Sequence, residues 1–207
     1  MPASNIDNLN NMQLDVLREI GNIGSGNAAT SLSQMIGSSV DIAVPTINAL
    51  DYNEVVNLLG GPENLVVGLL IRVTGDITGM MMYILQNSFA NKITNTFFQK
   101  SLENVTQIDE MDQSAICEIG NIMAASYINA ISALTGLSID ISPPLFCADM
   151  VGAIMSVPAI EFAEVSDKVL FIDDSFMVTN DEIKSNMILI PETNSLSLLF
   201  TKLGVEV

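Results

Sequence analysis

The chain carries the stretch EIGNI twice, at residues 19–23 and, unchanged, at residues 118–122. The same offset of 99 residues also places Pro45 opposite Pro144, with no gap between the matched positions. Five identical consecutive residues followed by a further match at the same spacing are poorly explained by chance. Two copies with this period indicate an internally duplicated domain, because solenoids need three or more repeats of a shorter unit.

Each EIGNI stretch lies in a pattern that is typical of a helix. Apolar residues fall on one side of both segments when they are plotted at about 100° per residue. We expect helices over about residues 11–35 and 112–134, and we call them the two motif helices. Each should end at a glycine in the left-handed conformation, Gly37 in the first copy and Gly136 in the second.

A β-rich stretch follows each motif helix, and Pro45 or Pro144 interrupts it. Proline cannot donate a hydrogen bond to a neighbouring strand, so this end should be an edge or a bulge of the sheet. Further strands are expected at residues 65–73, 79–85, 168–176 and 186–190, and a closing helix follows them in each copy. The pattern predicts an α+β fold, in which the two motif helices pack on one antiparallel sheet built from both copies.

The duplication predicts that the two copies are related by a pseudo-two-fold rotation. They span about residues 11–100 and 110–203, and we expect them to form a single domain within residues 1–207. Motif helices in unrelated positions would contradict a duplication.

The composition excludes several classes of partner. Twenty-four acidic and seven basic residues give a formal net charge of −17, and no cluster of Lys and Arg is available to bind a nucleic acid. A phosphate group could bind this chain only together with a cation of its own. The apolar runs are shorter than the roughly 20 residues that a membrane span needs. Residues 1–13 lack the apolar segment of a signal peptide, so we expect a cytoplasmic protein with a loosely held amino terminus.

The chain has two cysteines, Cys117 and Cys147, and no histidine. Most zinc and haem sites are excluded because they need histidine or closely spaced cysteines. We therefore expect both cysteines to be free, buried thiols, and we expect the chain itself to bind no cofactor.

Three polar positions share one face of each motif helix. They are Asp15, Glu19 and Asn22 in the first copy, and Ser114, Glu118 and Asn121 in the second. At about 100° per residue, the three positions lie within an arc of about 60°, opposite the apolar side of the helix. The sequence therefore predicts an exposed polar face that occurs twice.

A carboxylate and a carboxamide cannot form a metal cage or a nucleophile with its base. An amide can instead hold a water molecule for in-line attack on phosphorus, and a carboxylate can bind a lysine of a partner. This chemistry requires that the partner supplies the phosphoryl group and its metal ion. A single Glu-x-x-Asn on an exposed face is usually only solvated surface, but its presence in both copies, whose following residues differ, favours a function.

Gly21 and Gly120 lie inside the predicted motif helices, where glycine costs about 1 kcal/mol relative to alanine. We expect another backbone or a partner to approach the helix closely at these positions.

The complete pattern is Asp or Ser, then Glu, Asn and Pro at fixed spacing, and it occurs twice over nearly the whole chain. It resembles the CheC/CheX/FliY family of chemotaxis phosphatases, and the layout with two sites is most similar to the CheC type. The resemblance implies an enzyme that hydrolyses the aspartyl phosphate of the response regulator CheY and that binds the receptor deamidase CheD. It implies that each asparagine positions the attacking water, that each glutamate binds a lysine of CheY, and that Mg²⁺ comes with the phosphorylated regulator. Asp15 and Ser114 would contact the substrate protein.

The second copy departs from the repeat at residues 147–152, where Asp149 stands at the position of Leu50. Ordinary divergence of a loop would explain this difference. A docking site for a partner such as CheD, present in only one half of the chain, would also explain it.

Two other functions stay open. Residues 24–29 fit the dinucleotide fingerprint G-x-G-x-x-A, and Asp51 lies at a suitable distance, but the fingerprint requires a strand where a helix is predicted. The chain could also be a docking module without catalysis, in the flagellar switch or the receptor array, that uses the same helix faces only to bind.

Overall fold

The strands form one antiparallel sheet in the computed structural model, which describes residues 6–178 and 181–205. In this part of the chain the strands are β1 (Val40–Ile42), β2 (Thr46–Asp51), β3 (Leu65–Gly75), β4 (Gly79–Leu85), β5 (Ile139–Ile141), β6 (Leu145–Met150), β7 (Lys168–Val178) and β8 (Asp181–Pro191). The helices are α1 (Asn11–Ile36), α2 (Tyr52–Leu58), α3 (Asn87–Phe98), α4 (Glu110–Thr135), α5 (Val151–Glu161) and α6 (Thr193–Lys202), with short 3-10 turns at Ile6–Asn8 and Val105–Gln107. The expected α+β fold is confirmed, and α1 and α4 are the two motif helices.

The two copies exchange their edge strands. β1 and β2 pair with β7 of the second copy, whereas β5 and β6 pair with β3 of the first, and β4 pairs with β8 at the centre. The registers repeat as well, since Ile42 lies opposite Phe176 and its counterpart Ile141 lies opposite Val73. A pseudo-two-fold axis between β4 and β8 would produce this order, and the rotation itself stays a prediction.

Both motif helices begin at a side-chain cap and end at a glycine. Asn10 and Gln13 exchange side-chain to backbone hydrogen bonds of 2.9 and 3.0 Å at the start of α1. Asp109 caps α4 and also binds Lys100 at 2.9 Å, a hydrogen bond that lowers the pKa of this carboxyl. The terminal glycines are left-handed as predicted, with φ of 65° and 70°.

The edge strands agree with expectation, whereas the amino terminus does not. Pro45 and Pro144 separate the short edge strands of each copy, as predicted. The amino terminus is not loose from Ile6 onward, because Ile6 is buried and the Ser166 hydroxyl donates to the Asp7 carboxylate at 2.8 Å.

In the described ranges, no helix combines the length and the apolar character that crossing a bilayer requires.

The two motif helices contact each other directly at Gly24. A Cβ atom at this position would lie 2.8 Å from Cδ1 and 3.1 Å from Cα of Tyr127 on α4. A side chain would therefore overlap the neighbouring helix, which explains a glycine in the middle of α1. Residues 24–29 lie inside this helix, and helix also precedes them from Asn11 onward where the dinucleotide fingerprint requires a strand, so that fingerprint is excluded.

A buried carboxylate joins both motif helices to the sheet. The Ser25 hydroxyl of α1 donates to Asp174 Oδ1 at 2.7 Å, and the Tyr127 hydroxyl of α4 donates to Asp174 Oδ2 at 2.8 Å. The two hydroxyl groups also contact each other. Asp174 on β7 is fully buried, and burial raises its pKa from 3.8 to about 6, although the two hydrogen bonds oppose this shift.

The other half of the molecule has buried apolar residues at the equivalent positions. The repeat and the strand registers place Ala124 at the position of Ser25, Ala28 at that of Tyr127, and Ile71 at that of Asp174. The fold therefore accommodates apolar residues at these positions, and the hydrogen-bonded network belongs to one half only.

We expect Gly24→Ala and Gly26→Ala to change stability in opposite directions. Overpacking against Tyr127 should lower the free energy of unfolding of Gly24→Ala by about 1–2 kcal/mol after the gain in helix propensity. Nothing lies within 4 Å of a Cβ at Gly26, so this change should raise stability by up to about 1 kcal/mol. Urea unfolding of both variants checks the pair, and equal effects would contradict the packing of α1 on α4.

Asp174→Asn should change how stability depends on pH. Because folding raises the pKa of Asp174, its contribution to stability is present below about pH 4 and is lost as the pH rises through about 6. Relative to wild type, the variant should gain up to about 3 kcal/mol between pH 4 and pH 7.5. Urea unfolding across this range measures the difference, with Asp41→Asn as an exposed control. Parallel stability curves for the variant and wild type would refute the assignment.

Candidate functional site

The structure places all six predicted positions on the two motif helices. Asp15, Glu19 and Asn22 are exposed on α1, and on α4 Ser114 and Glu118 are exposed while Asn121 is half-buried. Glutamate and asparagine lie three residues apart, which is about 4.5 Å along a helix axis. Each helix therefore presents a carboxylate and an amide to the same side, one turn apart.

A glycine beside each asparagine brings the motif helix against the sheet. A Cβ at Gly21 would lie 2.7 Å from Ile47 Cδ1 and 3.7 Å from Pro45 Cγ, and a Cβ at Gly120 would overlap Leu69 Cδ1. We expected a backbone or a partner to approach the helix at these glycines. The close approach comes instead from side chains of the chain's own sheet. Pro45 is buried in this contact, next to the residue that precedes Asn22.

The two faces differ beside the asparagine. Arg18 lies one turn before Asn22 and forms an exposed ion pair of 2.6 Å with Asp15. Such pairs contribute at most about 1 kcal/mol, so a partner could replace this one. In α4, Cys117 stands at the position of Arg18, and the Ser114 hydroxyl donates to the Glu110 carbonyl at 2.8 Å. The sequence interpretation missed this asymmetry, although aligning the two copies reveals it.

The chemistry available on these faces is binding and orientation. Over residues 6–178 and 181–205, no group of three or more Cys, Asp and Glu side chains is arranged to hold a metal ion. The Cys117 thiol is half-buried, and burial raises its pKa, which makes it a poor nucleophile. A glutamate and an amide with these neighbours can accept a cation from a partner and hold a water molecule.

Asp149 lies in regular structure and not in a loop. It is a half-buried residue of β6, opposite Val66 of β3, and its Oδ1 accepts a 2.7 Å hydrogen bond from the Met150 amide. It borders an open groove of about 250 Å³ between β6 and α5, which exposed Leu145 and Val157 also line. This groove has a carboxylate beside apolar side chains, a combination suited to a protein partner.

Both cysteines are free, as expected, but they are not both buried. Cys117 is half-buried, and Cys147 is exposed on β6 next to the groove of Asp149. Cys147 is exposed because β6 is an edge strand with one open side.

Known proteins share both motif helices. The model of the CheC-like family matches residues 12–49 and 111–146, which include both EIGNI stretches and both prolines. The chain is 32% identical over 198 residues to the CheY-P phosphatase CheC of Bacillus subtilis, with 94% of this chain and 95% of that protein covered. It is 28% identical over 140 residues to the flagellar motor switch phosphatase FliY of the same organism, with 67% of this chain and 36% of that protein covered.

The fold is also found among solved structures. The crystal structure of FliY from Thermotoga maritima superposes with a TM-score of 0.75 at 24% identity, covering 95% of this chain and 98% of that chain. At this level of identity the likeness establishes a shared fold.

Proposed function

The chain belongs to the CheC-like family, and we propose that it is a phosphatase that hydrolyses the aspartyl phosphate of the response regulator CheY. The observation that carries this proposal is the pair of exposed faces with glutamate and asparagine one turn apart. Identity of 32% over nearly the full length to a CheY-P phosphatase supports the same activity.

In this mechanism each asparagine holds the attacking water in line with the phosphorus atom. The water oxygen bonds to phosphorus while the bond to the regulator's aspartate breaks. The aspartate leaves as a carboxylate that needs no proton, and the protons of the water go with the phosphate that is released. Positioning of the water is the main contribution of Asn22 and Asn121. The faces need no nucleophile of their own, because water is the nucleophile.

Each glutamate holds the regulator in place. Glu19 and Glu118 bind a lysine of CheY, and Asp15 and Ser114 contact the same partner nearby. Mg²⁺ enters with the phosphorylated regulator, which brings a compensating cation to a chain of net charge −17. We propose that the chain acts in the cytoplasm with its regulator, as a single domain in which both sites act on one kind of substrate.

We propose a separate docking site for CheD at the groove of Asp149. Leu50 replaces this carboxylate in the first copy, so a partner that needs it would bind once per chain. The groove between β6 and α5 lies apart from the exposed faces of α1 and α4 that carry glutamate and asparagine. Binding there would leave the phosphatase faces free to meet CheY.

A docking module without catalysis is the second candidate. The similarity to the flagellar motor switch phosphatase FliY links the family to the switch, where a component could use the same faces only to bind. Release of phosphate from phosphorylated CheY separates the two functions, because a docking module would leave the regulator's own rate unchanged.

Removing the asparagines should remove catalysis without unfolding the chain. Asn22→Ala should inactivate the first site and Asn121→Ala the second, each by about 100-fold or more, because the water loses its hydrogen-bond partner. The double variant should leave only the slow autodephosphorylation of CheY. Phosphate release from phosphorylated CheY with Mg²⁺ measures all three, and Asn27→Ala, an exposed asparagine on another side of α1, is the matched control.

The glutamates should respond differently in the same assay. Glu19→Lys and Glu118→Lys should raise KM because they set a cation against the partner's lysine. Glu103→Lys makes the same charge change at an exposed position outside the motif helices. Full activity in a folded double asparagine variant would refute the mechanism, whatever the glutamates do.

Asp149→Lys should weaken the binding of CheD and leave the dephosphorylation of CheY intact. The new cation would reverse the charge that borders the groove. Titration of purified CheD measures the loss, with Asp41→Lys on the opposite edge of the sheet as control. Unchanged affinity for CheD would argue against this docking site.

A further inference from the structure

Each motif helix exposes a methionine near its start. Met12 on α1 has 64% of its surface exposed, and Met111 on α4 has 65%. They are the second residues of their helices and are related by the same 99-residue offset as the EIGNI stretches. Single exposed apolar side chains are common on proteins, but an identical pair at equivalent positions of a duplicated chain needs a reason.

Another equivalent pair of exposed apolar residues lies elsewhere. Leu58 ends α2 and Val157 lies on α5, two helices that contact each other. Neither belongs to a motif helix. Met12 and Met111 are therefore exposed, occupy equivalent positions in the two copies, and lie on the faces that carry the glutamate and asparagine.

Helix geometry places each methionine on the same side as the polar pair. At about 100° per residue, Met12 lies about 20° from Glu19 and about 80° from Asn22 around the helix axis. Met12 and Asn22 are about 15 Å apart along the axis, which fits within an interface of standard size. Met111 has the same spacing from Glu118 and Asn121.

The first turn that carries each methionine is held in place. Asn10 and Gln13 close the capping box around Met12, and Asp109 and Asp112 close the one around Met111. The caps fix the backbone while the methionine side chain stays in solvent. The chain thus presents a flexible apolar group from a rigid support.

We propose that Met12 and Met111 are apolar anchors for the phosphorylated response regulator, which contact it beside its phosphorylation site. This inference rests on the proposed phosphatase function, because it assigns the same faces to the same partner. The regulator should present an apolar patch about 15 Å from the phosphoryl group, on the side that meets the start of the motif helix.

The surroundings favour a methionine in this role. Asp15 and Glu19 make the face acidic, and an acidic face repels a phosphoryl group, so a contact that does not depend on charge adds affinity to the proposed pair of glutamate and lysine. Methionine is enriched at the cores of interfaces and adapts its shape to the partner. Its contact should slow the dissociation of the complex and leave the chemical step unchanged.

The test isolates one site at a time. Met12→Gln is made in the Asn121→Ala background and Met111→Gln in the Asn22→Ala background, so that each assay observes one face. Each change should raise the KM for phosphorylated regulator about tenfold and leave kcat unchanged. Met→Leu at either position should restore KM to within about twofold, and Leu58→Gln, an exposed apolar residue on α2, should have no effect.

A binding titration separates this inference from the function on which it rests. The regulator is loaded with beryllium fluoride, a stable mimic of the aspartyl phosphate, and titrated against the same variants, in which the face with the substituted methionine should bind more weakly than the other face. If wild type binds but releases no phosphate, the phosphatase function fails, and weaker binding of the methionine variants still supports the anchors. Unchanged KM and unchanged affinity in both variants overturn the proposal, as does absence of binding by wild type. A change in self-association alone would assign the methionines to contacts between copies and would overturn it too.

Discussion

The exchange of edge strands between the two copies is the constraint on which the rest of the structure depends. β1 and β2 complete the sheet beside β7, and β5 and β6 complete it beside β3, so each copy leaves its own half of the sheet unfinished. An unfinished edge would be open to other chains. Because the sheet is shared, α1 and α4 lie over one core and contact each other at Gly24. The two faces with glutamate and asparagine therefore have a fixed position relative to each other.

The shared core does not make the two halves equal. In one half, Asp174 accepts hydrogen bonds from Ser25 and Tyr127. In the other half, the equivalent positions are occupied by Ile71, Ala124 and Ala28. A fully buried carboxylate without a cation is unfavourable, and the apolar counterpart demonstrates that the fold tolerates its absence. The faces also differ, since Arg18 lies beside Asn22 and Cys117 beside Asn121. The two copies share the glutamate, the asparagine, the proline and the exposed methionine, while the supporting contacts differ.

Local features of the fold could be predicted from the sequence, whereas contacts between distant residues could not. The repeat itself located both motif helices, their glycine caps and the polar faces, because helix periodicity and capping are local properties. The first half of β8 was missed because Asp181–Pro191 begins with polar residues, which join the sheet only through pairing with β7. The contact of Gly21 with Ile47 and the burial of Asp174 were also missed, since both depend on which distant residues meet. Ile6 was missed for the same reason, because a polar neighbourhood in sequence hid its place in the core.

The proposed site is complete only when a partner is bound. An acyl phosphate has a good leaving group, so the remaining barrier is the placement of water and the neutralisation of charge in the transition state. In the proposed mechanism this chain places the water, but with 24 acidic and seven basic residues it is poorly suited to bind phosphate. In the same mechanism the cations come from the regulator, as Mg²⁺ and lysine. Under this division of labour the faces need no metal cage, no nucleophile and no buried pocket, and two flat helix faces are sufficient. Specificity then depends on the protein contacts that surround the asparagine, which a free phosphate ester cannot make.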